Sequence, residues 1–264
     1  MKIKFNFRRF FRRYKKHIVF AFLLFCFFFP AYWKRAVYPY LFGKKTNEVL
    51  QISSHDYFED VNAPMFVFTR GKYSYYLVPK TRYAVTGRVG ILDHYDTLWN
   101  RFFRGQFQGD YINLVPRDIF LVIGQMAQKD IFKKFKFDHE ERLGRVLCKG
   151  VKYRTSFMSA YRNQEEAEKS QANFKACHQY IKQEEQNNYH PIPATERINK
   201  ALSMLLPGDV IYLEGVLVDV PQMRLSTGTR KEQHHENMIT NGMKPGKCFI
   251  LYTTKVIVNG RVYE

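Results

Sequence analysis

The stretch His17–Trp33, HIVFAFLLFCFFFPAYW, constrains this chain more than any other. It is seventeen residues long, and its only titratable side chain besides the tyrosine and cysteine is His17. At about 1.5 Å rise per residue it reaches roughly 25 Å as a helix, near the lower limit for crossing a bilayer. Tyr32 and Trp33 stand at its end, where amphipathic rings suit the headgroup level. Eight basic side chains precede the run (Lys2, Lys4, Arg8, Arg9, Arg12, Arg13, Lys15 and Lys16), and four follow it (Lys34, Arg35, Lys44 and Lys45). That asymmetry places the N-terminus in the cytoplasm and everything after residue 45 outside it.

A cleavable signal peptide competes with this reading, with Ile18–Phe29 as its apolar core. No small-x-small cleavage site follows, because Pro30, Tyr32, Trp33 and Lys34 fill the places where one belongs, and no small residue precedes Cys26 as a lipoprotein site requires. The expectation is therefore an uncleaved signal-anchor in a bacterial inner membrane. Residues 1–16 form a basic cytoplasmic segment, 17–33 the transmembrane helix, 34–64 a juxtamembrane connector, and 65–264 a periplasmic domain with a polar excursion at about 156–188. The lipid bilayer is then a partner through residues 17–33, and anionic headgroups through the basic N-terminus.

The formal charge of +18 invites a nucleic-acid reading. Residues 1–45, however, carry twelve basic and no acidic side chains, whereas the other 219 carry thirty and twenty-four. Most of the basicity is topogenic, and the expectation is no nucleic-acid partner. Nucleic-acid binding stands as an alternative only if the domain is cytoplasmic. At 17% aromatic residues the chain has material for a core.

The pattern after residue 64 is one of short strands and few helices. Met65–Thr69 and Ser74–Val78 flank Arg70-Gly71-Lys72 as a hairpin. Arg82–Asp93 alternates as a strand, with Gly87 or Gly90 marking a bulge or a close approach. Gln51–Pro64 reads as a loop. Asp118–Gly124, DIFLVIG, is apolar enough to be a strand covered on both faces. Arg145–Tyr153 predicts another strand, interrupted at Gly150. In the polar excursion, Ala167, Phe174, Cys177 and Ile181 offer one thin apolar helix face. Ile198, Ala201, Leu202 and Leu205 fall at helical spacing, started by Thr195 or the prolines before it and stopped by Pro207-Gly208-Asp209. Val210–Val220 is the strongest strand, with Ile211, Leu213 and Gly215 as its inward set. Cys248–Val258 is the last long strand, and Asn259-Gly260 is a turn signal. The fold class expected is an N-terminal transmembrane helix plus a mainly-β (α+β) soluble domain, a small β-barrel or sandwich with one or two helices. Gly208-Asp209 leading into a strand with an internal glycine resembles oligonucleotide-binding barrels, where glycine permits strong coiling. That likeness concerns fold alone.

Several stretches together resemble a family of uncharacterised bacterial envelope proteins: Arg82–Gly90, Arg117–Gly124, Asn188–Ala194 with its H-P-I-P-A, Gly208–Val220 as GDVIYLEGVLVDV, and Gly246-Lys247-Cys248 before a strand. In that family an asparagine-histidine-x-isoleucine-proline stretch precedes a short helix, a G-D-V-x-x-x-G-x-L-V strand and a late glycine-x-cysteine strand. The similarity covers residues 80–264 discontinuously. This chain departs from the pattern at Gln164–Gln186, which is longer, and at Arg224–Lys247, which lacks a serine-rich segment. The resemblance implies an envelope location and this architecture, and carries no activity.

Candidate chemistry is sparse. Asp93-His94-x-Asp96 has the residue types of an acid–base pair or a metal site, and equally those of an ordinary turn. His234-His235-Glu236 offers ligand types without a second cluster at standard spacing, so no metal and no cofactor is expected. His190, stiffened by Pro191 and Pro193, is the best single polar candidate, able to bind a ligand or to satisfy backbone groups where the next helix begins. Trp99–Phe107 and Ile131–Phe137 mix cations with rings and could stack bases or lie against headgroups.

The leading functional expectation is a non-enzymatic extracytoplasmic binding or accessory module that engages an unknown envelope protein or an envelope ligand. The alternative is a periplasmic hydrolase using His190 or the Asp93/His94/Asp96 cluster. Outside the span there are three cysteines, Cys148, Cys177 and Cys248. Sequence alone leaves three pairings open. Strand proximity and the long loop it would close favour Cys148–Cys248 over Cys148–Cys177.

Overall fold

The computed structural model describes residues 37–52, 57–95, 113–140, 143–151, 164–221 and 248–264. Among them no helix is long and apolar enough to cross a membrane; His17–Trp33 lies outside the described residues. The described chain is mainly β, with a large sheet and few helices.

The chain enters through a short helix α1 (Tyr38–Phe42) and β1 (Lys44–Lys45). Strands β2 (Tyr57–Asp60), β3 (Phe66–Arg70), β4 (Tyr73–His94) and β5 (Arg117–Val122) follow. A helical turn α2 (Lys129–Phe132) leads to the ribbon β6 (Phe135–Glu140) and β7 (Leu143–Cys148), then α3 (Gln164–His178). The rest is β8 (Gln186–Pro193), α4 (Glu196–Ser203), β9 (Val210–Asp219), β10 (Cys248–Val258) and β11 (Arg261–Tyr263).

Five strands close a circuit. β4 pairs with β5, β5 with β8, β8 with β10, β10 with β9, and β9 with β4 again; all these pairings are antiparallel except β8–β10. A closed circuit removes the sheet edges that would otherwise expose unpaired backbone. One strand can serve two neighbours because β4 is 22 residues long. Ser74–Val78 and Arg82–Asp93, read from sequence as two strands, are one: β4 absorbs Pro79 with one register irregularity between Pro79 and Thr81, and a second between Val89 and Ile91 leaves Gly90 as the extra residue. Gly87 is the close approach, since a Cβ there would stand 2.9 Å from the carbonyl oxygen of Val122.

The ring is filled by Tyr83, Val85, Val89, Ile119, Leu121, Tyr189, Ile211, Leu213, Phe249, Leu251 and Val256. The hydroxyls of Tyr83 and Tyr189 bond each other at 2.5 Å, so neither polar tip is stranded in the interior. α4 packs Ile198, Ala201 and Leu202 into the same core, its N-terminus capped by Thr195, whose side chain accepts from Ile198 N. In β9, Ile211, Leu213 and Gly215 are buried and Val210, Tyr212 and Glu214 are half-buried, the alternation the sequence predicts. The hairpin at Gly71 and the turn at Asn259-Gly260 adopt positive φ as expected.

Two expectations are corrected. Gln51–Pro64 is not simply a loop, because Tyr57–Asp60 adds a strand to β4. The stretch before α4, whose prolines the sequence offers only as a start for that helix, is β8, buried along nearly its whole length between β5 and β10. Its prolines are tolerated for a definite reason. Ala194 N donates to Thr253 O, so alternate residues from 194 face β10 and positions 191 and 193 face away from it. On that side β5 ends its pairing at Tyr189, and the missing donors interrupt no ladder.

Candidate functional site

Strands β5 and β8 bring together the most concentrated polar group of the described fold. Along β5, Ile119 and Leu121 point into the ring, so Asp118, Phe120 and Val122 point outward. On β8 Tyr189 points inward, and His190 and Ile192 outward. The register sets Ile119 opposite Tyr189, which makes Asp118 and His190 neighbours on the outer face.

Asp118 Oδ1 and His190 Nδ1 lie 2.5 Å apart, and Tyr95 donates its hydroxyl to Asp118 Oδ2 at 2.6 Å. An ionised aspartate only accepts, so the imidazole donates from Nδ1. The three side chains are enclosed: Asp118 is 1%, His190 0% and Tyr95 4% exposed. A carboxylate that orients an imidazole through Nδ1 is the arrangement that tunes a general base. Here the ring is fully enclosed, and each oxygen of the buried carboxylate has a partner, His190 on one and Tyr95 on the other.

Arg117, one residue earlier, faces the ring and α4. Its Nε donates to His94 Nδ1 at 3.2 Å, and its Nη1 donates to Asn199 Oδ1 at 2.5 Å. Asn199 in turn donates to Glu196 at 3.1 Å. This network ties the end of β4 to α4.

Two of the sequence candidates, Asp93 and His190, lie on strands to either side of Asp118. His190 does not cap a helix; it sits mid-strand beside Asp118, which sequence spacing alone does not single out because its partner lies 72 residues away. Asp93 pairs opposite Asp118 at the end of β4 but is only half-buried, and His94 is engaged by Arg117. Asp96, Trp99–Phe107 and His234-His235-Glu236 lie outside the described residues. Among the described residues no group of three or more His, Cys, Asp or Glu side chains could hold a metal ion.

A cover lies over the outer face of β5 and β8. Gly144 of β7 approaches the Phe120 ring so closely that a Cβ would enter it, and Gly144 N donates to Asn188 Oδ1 at 3.3 Å. Phe120, Val122, Met126, Ala127, Phe135, Cys148 and Cys177 form one buried cluster between the ring and the cover. Cys148 is bridged to Cys177, with Cα atoms 5.7 Å apart, and not to Cys248. The correction has a topological cause. Cys148 ends the ribbon, on which α3 packs, whereas Cys248 opens β10 opposite Asn188 in the ring. No family model, no curated protein and no solved structure matches this chain.

Proposed function

We propose that this chain is a membrane-anchored, extracytoplasmic binding module of the bacterial envelope, one that engages a partner protein and catalyses no reaction. Its five-stranded ring is read as a barrel of the oligonucleotide-binding type: taken in chain order the strands run first, second, third, fifth, fourth and back to first, with the third and fifth parallel.

The observation that carries this reading is the cover. Barrels of that type take ligands on the outer face of their second and third strands. In this chain those strands are β5 and β8, and their outer face is closed by the chain's own ribbon and by the cluster around Cys148–Cys177. Nucleic acid has no access to it, and substrate has none to His190 and Asp118. The disulfide supports an oxidising compartment, which agrees with residues 17–33 acting as a signal-anchor.

Binding then falls to the outside of the β3–β4 hairpin. Val67 faces Tyr76 across the ladder, and Met65, Val67 and Tyr76 are all exposed. β3 pairs only with β4 among the described residues, and an open edge of that kind accepts an added strand.

Photo-crosslinking in intact envelopes tests this. Tyr76→p-benzoylphenylalanine should yield a discrete protein adduct that Val67→Glu on the facing strand abolishes. No adduct, together with a hydrolytic activity lost in His190→Ala, would replace the reading with an enzyme. Alkaline phosphatase fused after Gly43 should be active; an inactive phosphatase and a bright green fluorescent protein there would put the domain in the cytoplasm and restore nucleic acid as a partner.

A further inference from the structure

The end of the ring opposite the β3–β4 hairpin is built by α1, β1, β11 and α4. α1 places Pro39 inward and leaves Tyr40 and Leu41 outward, 74% and 62% exposed. An isolated exposed leucine needs no explanation, but here two adjacent large side chains project beside a cluster of cations. Lys44 and Lys45, both exposed, form β1 along β11. Arg261 lies over the Tyr40 ring at 4.2 Å and donates to Gly43 O at 2.8 Å, while Lys200 of α4 lies over Phe42 at 3.9 Å. The nearby Glu48 is turned to Lys255, 3.7 Å away.

We propose that this end of the domain docks on the lipid surface, with Tyr40 and Leu41 entering the headgroup region of an anionic leaflet and Lys44 and Lys45 contacting its phosphates. The inference rests on the membrane-anchor reading above and adds the orientation of the domain on its membrane.

Chain length supports the choice of occupant. Only Lys34, Arg35 and Ala36 separate Trp33, the end of the apolar run, from Val37. Four Cα steps span at most about 14 Å, so α1 cannot stand far from the interface in which the run ends. The charges agree: Lys34 and Arg35 extend the same cationic patch in sequence. Amphipathic rings and cations together are the composition that binds an anionic interface. The hairpin stands away from it. α1 and β11 adjoin Val258, which pairs with Ile211, whereas the hairpin begins beyond Val78, which pairs with Asp219. The eight residue steps of β9 from Ile211 to Asp219 correspond to about 26 Å.

The test uses the full chain in nanodiscs, one set of phosphatidylglycerol with phosphatidylcholine and one of phosphatidylcholine alone. Leu41→p-benzoylphenylalanine should give lipid adducts by mass spectrometry in the anionic discs, and Val67→p-benzoylphenylalanine should not. Lys44→Ala with Lys45→Ala, checked for unchanged melting, should lower the adduct yield at position 41 by about fivefold per lysine. Retention after a carbonate wash, with no lipid adduct at position 41 or an equal yield at position 67, would overturn the docking while leaving the anchor intact. A yield insensitive to both lysines and lipid charge would also overturn it. Release by carbonate would remove the anchor itself, and the docking with it.

Discussion

Breaking the Cys148–Cys177 bridge should loosen the cover before it unfolds the ring. The bridge closes a segment of 29 residues. In the chain-entropy model a loop of that length contributes about 3.5 kcal/mol. The buried residues of α3 are Ser170 and Cys177, and exposed bonds join it to the rest at Asn173 Nδ2, which donates to Gly150 O at 3.2 Å, and at Ala176 O, which accepts from Lys134 Nζ at 3.4 Å. A fifteen-residue helix is marginal in water without packing. Cys148→Ala with Cys177→Ala should therefore lower Tm by about 7–14 °C for a domain of this size. Hydrogen exchange should accelerate in α3 and at the end of β7, while β4, β9 and β10 keep their protection in mild conditions. The same exchange pattern should follow reduction of the wild-type protein. The reasoning fails if α3 exchanges at its original rate and Tm moves by less than about 2 °C, or if non-reducing peptide mapping links either cysteine to Cys248.

Three further outcomes are expected. Asp118→Ala leaves His190 enclosed without its carboxylate and should cost about 3–5 kcal/mol, whereas Tyr95→Phe should cost about 1.5 kcal/mol; urea denaturation of both variants measures the order, and equal values would contradict it. Gly215→Ala drives a Cβ into the carbonyl oxygen of Tyr252 on β10 and should cost about 3 kcal/mol or more, seen as a lower Tm, while Gly208→Ala, with open space but a φ of 94°, tests backbone strain without collision. Burial raises the Tyr212, Tyr252 and Tyr263 hydroxyls above the ordinary tyrosine value, with Glu214 adding to the effect at Tyr212. Their contribution to stability is then complete below about pH 10 and lost as pH climbs through the raised values; urea midpoints between pH 8 and 11 should fall, and Tyr212→Phe should flatten that fall.

The strands that alternate or run apolar were legible one by one, because side-chain period and burial are local properties of the chain. Val210–Asp219 with its inward Ile211 and Leu213, Cys248–Val258, the Gly71 hairpin and the α4 helix all follow from residues within a dozen positions of one another. Sequence also set the anchor reading, since length and hydropathy of 17–33 and the flanking charge are themselves sequence quantities. The prolines of Asn188–Ala194 hid β8, because whether a missing N–H matters depends on which neighbour it would have faced. Asp118 was invisible as the partner of His190, and Cys177 ranked behind Cys248 as that of Cys148, since both pairs are made by strand order and by a ribbon folded back over the ring. The closing of β4 on both β5 and β9 likewise exists only in three dimensions. Periodicity tells each strand which face to bury; only the assembled circuit decides which strands share that face, and so enclosed the histidine that stood out in sequence beside Asp118.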